Sequence, residues 1–150
     1  MKFLYLDSSV LVSLALYDPV RIQKAQIKMK QFDVLGTNEL AIVECQAGLS
    51  SQLGNKGVDL TDAEQNLNQI LARIYLYKID SLILGHARSL VKSYRNSLGL
   101  RTLDAIHLAT ANLILQSFNS STGESHMEYL TADRKQHSAF TTEGYVGSLI

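Results

Sequence analysis

The chain has a single cysteine, no net charge and no long apolar run, and each shortage narrows what it is. Cys45 alone makes an internal disulfide impossible, which fits a reducing compartment. Lysine and arginine (14) balance aspartate and glutamate (14). That balance argues against a dedicated high-affinity nucleic-acid binder, whose grip depends on excess positive charge. It leaves room for an enzyme that meets a polyanion through a local basic patch. No uninterrupted apolar stretch reaches the roughly 20 residues a bilayer-spanning helix needs. The N-terminal MKFLYLDSSVLVSLALY starts like a signal peptide, but Asp7 breaks the run and no small-residue cleavage site follows. A cytoplasmic protein without a targeting segment is expected. No internal repeat is visible, and no Cys/His cluster suggests zinc.

What remains is a globular composition. The chain has 150 residues, 46% hydrophobic and 19% charged, which predicts one domain over residues 1–150. The Ser-rich stretch Ser117 to Ser125 is too short to separate domains. Residues 3–6 (FLYL) read as a strand buried on both faces. A helix is expected from Ser9 to Tyr17, stopped near Asp18-Pro19, and a basic amphipathic helix from Val20 to Gln31. Phe32 to Leu35 is the second strand, closed by Gly36. Thr37 or Asn38 caps a helix to about Leu53, broken by Gly54, Asn55 and Gly57. Thr61 and Glu64 read as a capping box before apolar positions Leu67, Ile70, Leu71 and Ile74. Ile74 to Ile79 is the third strand, and Asp80 caps a helix to Leu98, with Gly99 as its stop. A helix from Thr102 to Gln116, a loop, a strand at Glu128 to Thr131, a helix from Arg134 and a marginal strand at Tyr145-Val146 complete the chain. Alternating strands and helices predict an α/β fold with a mainly parallel sheet covered on both faces.

Four carboxylates stand out. Asp7 directly follows the first strand, and Asp133 follows the fourth by two residues. Either serves equally well as a helix N-cap. Asp104 opens a helix, where the macrodipole favours it. Glu44 sits inside a helix on a ridge with apolar Leu40 and Ala47, where a carboxylate needs a partner. Glu39 needs no such explanation in the first turn. Ligands of open α/β sheets bind beyond the carboxyl ends of the strands. Asp7, Asp104 and Asp133 can share that edge, and Glu44 begins the second turn of a helix leaving it. Four like charges in one cleft repel, and a divalent cation relieves them. All-oxygen ligands suit Mg²⁺ or Mn²⁺.

At these residues the sequence resembles the PIN-domain family, in particular the toxin ribonucleases of VapBC toxin–antitoxin modules. The matching segments are YLDSSVLV (5–12), TNELAIVECQAGL (37–49), GLRTLDAIHLATANLI (99–114) and YLTADRKQHSAF (129–140). The resemblance implies a three-layer α/β/α domain with a central parallel sheet. Carried over, the family's acidic cluster falls on Asp7, Glu44, Asp104 and Asp133. Ser8 or Ser9, and Thr131, fall where the family has small hydroxyl residues supporting the acids. Cys45-Gln46 departs from the apolar and basic residues common after the helix glutamate, and the loop from Phe118 to Met127 reads as long.

The resemblance implies an endoribonuclease that uses Mg²⁺ or Mn²⁺ to activate water against a backbone phosphorus, leaving a 5′-phosphate and a 3′-hydroxyl. It also implies a homodimer and a VapB-like antitoxin that blocks the site. Arg88, Lys92, Arg95 and Arg101 precede Asp104 and are candidates to guide the RNA backbone. Arg21, Lys24 and Lys28 form a second set at helical spacing, read as a solvated face. His107 reads as a structural, hydrogen-bonded residue, Cys45 as core, and Tyr5, Tyr75 and Tyr77 as packing residues. Competing readings are a PIN-like scaffold with little catalysis and a PIN nuclease of RNA processing. A phosphatase using Asp7 as nucleophile is disfavoured because Ser9 stands where its second aspartate belongs. A receiver domain lacks its paired acids and late lysine.

Overall fold

Strand β1 (Lys2–Leu6) dictates the layering. Phe3 and Tyr5 pack to one side of it and Leu4 and Leu6 to the other, and all four are buried. A strand apolar on both faces needs a helical layer on each. The computed structural model describes residues 1–16, 18–52, 57, 59–122 and 126–150, with 118–122 described by backbone alone. Helices α1 (Ser8–Ala15), α2 (Pro19–Met29), α3 (Leu40–Ser50) and α4 (Leu60–Leu71) bury their apolar faces against Leu4 and Leu6. Helices α5 (Ser81–Tyr94), α6 (Thr102–Thr122) and α7 (Arg134–Thr142) cover Phe3 and Tyr5. The strands β2 (Val34–Asn38), β3 (Tyr75–Tyr77), β4 (His126–Thr131) and β5 (Val146–Leu149) join β1 in one parallel sheet of order β3-β2-β1-β4-β5. The fold is thus the three-layer α/β/α domain expected.

The chain leaves β1 toward β2 and β3 on one side and returns to β4 and β5 on the other. The strand order therefore reverses between β1 and β4, which run in register from Lys2↔His126 to Leu6↔Leu130. A crevice opens beyond the carboxyl ends of such a strand pair.

Several boundaries move, each for a local reason. β2 spans 34–38 instead of 32–35, because Gly36 is not a stop. It is a close-approach position: a Cβ there would lie 2.8 Å from the Phe3 ring. Asn38 therefore ends the strand, yet its Oδ1 still accepts from Ala41 N at 3.3 Å and so caps α3 from outside. The capping box at Thr61 is displaced: Asp59 holds the cap, accepting from Thr61 N and Asp62 N. β3 shrinks to three residues at the sheet edge. There Tyr75 is exposed instead of packed, while Tyr5 is fully buried as expected. Helix α5 ends at Tyr94, and Gly99 takes a positive φ of 57° just before α6.

The largest difference is α6, which runs to Thr122 and absorbs most of the Ser-rich stretch. Ser117 Oγ donates back to Leu113 O at 2.9 Å, so its hydroxyl is satisfied within the helix. β4 then starts at His126, two residues early, and residues 118–122 of the loop expected from Phe118 are helical. Tyr17, Gly54, Asn55 and Gly123 to Ser125 lie outside the described residues. Of the basic stripe on α2, Lys28 pairs with Glu128 and Arg21 with Asp18, while Lys24 is exposed. Among the described residues, no helix is long and apolar enough to cross a membrane.

Candidate active site

Asp7 follows β1 directly and takes an extended conformation as N-cap of α1 (φ −74°, ψ 152°). It is 6% exposed. Its Oδ2 accepts from Ser9 N at 3.4 Å, from Ser9 Oγ and from Thr131 Oγ1 at 2.9 Å. Both hydroxyls are tied to the β4 turn: Ser9 Oγ accepts from Ala132 N at 2.9 Å and Thr131 Oγ1 from Asp133 N at 3.0 Å. The ends of β1 and β4 are thereby laced together on one oxygen of Asp7. Its other oxygen, Oδ1, lies 4.0 Å from His107 Nε2.

Asp133 caps α7, accepting from Lys135 N at 2.7 Å and Gln136 N at 3.2 Å through Oδ1. Asp104 sits in the first turn of α6, where, among the described residues, Oδ2 accepts a long 3.3 Å bond from Arg101 N. Burial raises the Asp104 pKa, the Arg101 bond lowers it, and the charges of Asp133 and Asp7 raise it again; the net shift is upward. Asp104 thus lies within electrostatic reach of Asp133 and Asp7 beyond the carboxyl ends of β1 and β4. Among the described residues, no lysine or arginine side chain pairs with any of them.

Glu44, in the second turn of α3, joins the cluster through His107. The His107 Nε2 lies 2.5 Å from Glu44 Oε2, and Nδ1 lies 2.7 Å from the Tyr5 hydroxyl. Burial works against the Glu44 charge, but the His107 hydrogen bond and charge, with a Ser8 hydrogen bond, outweigh it and lower its pKa. Burial likewise disfavours the imidazolium. The Glu44 hydrogen bond and the charges of Asp7, Glu44 and Asp104 overcome that, so the His107 pKa is raised. Ser8 and Ser9 therefore serve different acids, Glu44 and Asp7. Cys45 packs in the core, its thiol pushed up to about 12 by burial and by the Glu44 and Asp7 charges.

The structure thus places Asp104 within electrostatic reach of Asp7 and Asp133, and links Glu44 to this end of the sheet through His107. Arg101 is exposed beside Asp104, whereas Arg88, Lys92 and Arg95 lie exposed along and just after α5. What sequence reasoning undervalued is the frame behind the acids. His107 and Asp104 are three apart on α6, and Tyr5 and Asp7 two apart along β1, so each pair shares a face. Wholly buried Asn38 donates from Nδ2 to Thr110 Oγ1 at 3.1 Å while holding Ala41 N, linking α6 to α3.

The PIN domain family model matches residues 4–139 of this chain. The chain belongs to the PIN domain family. This PIN domain has no match among curated proteins. Solved structures share its fold. PAE2754 from Pyrobaculum aerophilum is 20% identical with a TM-score of 0.59, covering 98% of this chain and 92% of that one. A toxin–antitoxin complex from Klebsiella pneumoniae is 18% identical with a TM-score of 0.61, covering 89% of each chain. VapBC2 from Rickettsia felis, bound to a DNA fragment from its promoter, is 12% identical with a TM-score of 0.66, covering 100% and 99%.

PIN nucleases generally use divalent metals. The donor set here fits a hard cation: carboxylate oxygens, with no lysine or arginine partner among the described residues and His107 as the basic group beside Glu44 and Asp7. Among the described residues, no three such groups already converge on one point.

Proposed function

We propose that this PIN domain is a Mg²⁺- or Mn²⁺-dependent endoribonuclease, the toxin of a VapBC-type pair. The observation that carries the reading is the set of carboxylates at the strand-order reversal with no lysine or arginine partner among the described residues, where burial first, and then the Asp133 and Asp7 charges, push Asp104 toward protonation. Charge left uncompensated in a crevice marks a site built for a cation rather than for stability. The Klebsiella toxin–antitoxin complex and the Rickettsia VapBC2 share this fold, which supports the toxin assignment.

Asp7, Asp104 and Asp133 would hold the metal, with Glu44 completing the set. When bound, the metal supplies an activated water and neutralises charge on the phosphate oxygens. The protein's own share is positional. Ser9 and Thr131 hold Asp7 by one oxygen and leave the other for the cation. Arg101 neutralises an incoming phosphate beside Asp104, and Arg88, Lys92 and Arg95 extend the track along α5. With water as the nucleophile and the P–O3′ bond breaking, cleavage would leave a 5′-phosphate and a 3′-hydroxyl, with no protein nucleophile required. Exposed Ile42 and Val43 on α3 and Leu103 on α6, the helices of Glu44 and Asp104, suit a homodimer contact. A VapB-like antitoxin in the cytoplasm would place an arginine or lysine on the carboxylates.

The test is incubation of the protein with a mixed RNA pool in Mg²⁺, Mn²⁺ or EDTA, beside Asp7→Asn. Metal-dependent cleavage that vanishes in the variant supports the reading. Equal cleavage by both proteins refutes the site, and silence of both across varied RNAs refutes the active enzyme.

A further inference from the structure

We propose that His107 is a positioning residue that fixes the Glu44 carboxylate for cation binding, with Tyr5 fixing the imidazole in turn. The inference rests on the metal-dependent reading above. Three side chains form an inward line: the Tyr5 hydroxyl is 2.7 Å from His107 Nδ1, and His107 Nε2 is 2.5 Å from Glu44 Oε2. Tyr5 is 0% and His107 1% exposed. At that depth polar groups persist only when partnered. Both ring nitrogens are partnered, which accounts for a histidine on a stretch of α6 otherwise made of Ala105, Ile106, Leu108 and Ala109.

The direction of the Glu44 bond does not depend on the charge of the ring. A carboxylate oxygen at 2.5 Å is an acceptor, so Nε2 carries a hydrogen. In the neutral ring, Nδ1 then accepts from the Tyr5 hydroxyl. In the imidazolium, Nδ1 donates to the Tyr5 oxygen. A tyrosine phenol is protonated at neutral pH by its ordinary pKa of about 10, and can play either part. Nε2–H donates to Glu44 in both states.

Holding Glu44 matters because its side chain is long and leaves α3 one turn and more from the strand ends. A glutamate that is free to rotate loses rotamer entropy each time it contributes to a cation. One fixed beforehand does not, so the same charge holds the cation more tightly. The Ser8 hydrogen bond adds a second hold on the same carboxylate. The helices themselves are spaced by other means: Asn38 bonds Thr110 on α6 and Ala41 N on α3. Loss of the His107 bond should therefore free the Glu44 side chain and leave α3 in place.

The experiment is Mn²⁺ titration by calorimetry on the full chain, with thermal unfolding in EDTA to establish that each variant is folded. His107→Leu removes the donor and should weaken Mn²⁺ about 10–100-fold, the usual effect of losing a group that orients a ligand. His107→Gln keeps an amide N–H within reach of Glu44 and should restore affinity to within about 3-fold. Tyr5→Phe frees the ring and should fall between, about 3–10-fold weaker. A folded His107→Leu with wild-type affinity overturns the proposal, as does His107→Gln binding as weakly as His107→Leu. Should His107→Leu fail to fold, Tyr5→Phe decides, and unchanged affinity there overturns it. Folded wild type that binds no Mn²⁺ overturns the metal-dependent reading and this inference with it. Wild type that binds Mn²⁺ without cleaving RNA overturns only the nuclease reading, and the affinities still decide the role of His107.

Discussion

Asp104→Asn should stabilise the metal-free protein while abolishing cleavage. The substitution keeps the shape and the acceptor for Arg101 N, whose 3.3 Å bond is the contact holding the carboxylate. It removes a half-buried charge whose ionisation burial opposes, and which Asp133 and Asp7 oppose further. At a partly solvated position each neighbouring carboxylate costs about 0.5–1 kcal/mol. Against that, a charge in the first turn of a helix contributes about 0.3–1 kcal/mol, which asparagine forfeits. The net gain is about 1 kcal/mol, or roughly 2–4 °C in Tm for a chain of this size. The assay is thermal unfolding followed by circular dichroism near neutral pH, in EDTA and again in Mg²⁺. In EDTA the variant melts above wild type; in Mg²⁺ the wild type gains more, because it binds the cation better. The pH dependence has a definite sign. A folded-state pKa raised above the unfolded value favours the fold fully below the unfolded pKa, and that contribution is lost as pH rises through the folded pKa. Metal-free wild type should therefore lose stability as pH rises through the Asp104 transition, and the variant should lack that slope. A variant that melts lower in EDTA would falsify the idea that this crevice carries uncompensated charge.

Other outcomes follow from single contacts. Asp133→Ala removes the cap of α7 and should cost about 0.5–2 kcal/mol as well as cleavage; Asp133→Ser should recover the stability but not the cleavage, read by urea melts beside an RNA assay. Gly147→Ala would drive a methyl into the ring of Tyr129, which is fully buried, and should destabilise by about 1–3 kcal/mol in the same melts. Phe140→Ala empties a core position stacked on Tyr129 at 4.2 Å and should cost about 3–5 kcal/mol, with a midpoint shift too small for that cost counting against the packing described.

Local patterns carried the architecture, and contacts between distant elements hid the rest. The buried FLYL run, the Asp80 cap and the left-handed Gly99 could be read in isolation, because each depends on its own few residues. Gly36 could not. It reads as the end of a strand until Phe3, its neighbour across β1, is known to need the space. The extension of α6 to Thr122 is similar, since serines favour turns unless their hydroxyls find a helical carbonyl, as Ser117 does. The Glu44–His107 pair joins residues 63 apart on two helices. The apolar ridge around Glu44 signalled that a partner was needed. Only the packing of α3 beside α6 supplies its identity.

For Asp7, Asp104 and Asp133, the cap and the cation site are not rival explanations. Each carboxylate stands at the start of a helix: α1, α6 and α7. Those three N-termini meet at the point where the strand order reverses. A helix N-terminus presents partial positive charge and unpaired N–H donors to a carboxylate. Asp7 and Asp133 use both, accepting from Ser9 N and from Lys135 N and Gln136 N. Asp104 takes, among the described residues, one long bond from Arg101 N, which does not offset burial and the charges of Asp133 and Asp7, so its pKa rises. Three converging helix starts thus help a neutral chain hold three like charges together with His107 as the basic group nearby and no lysine or arginine pairing among the described residues. They offset the repulsion in part, and what they leave uncompensated at Asp104 is the charge a divalent cation would take up.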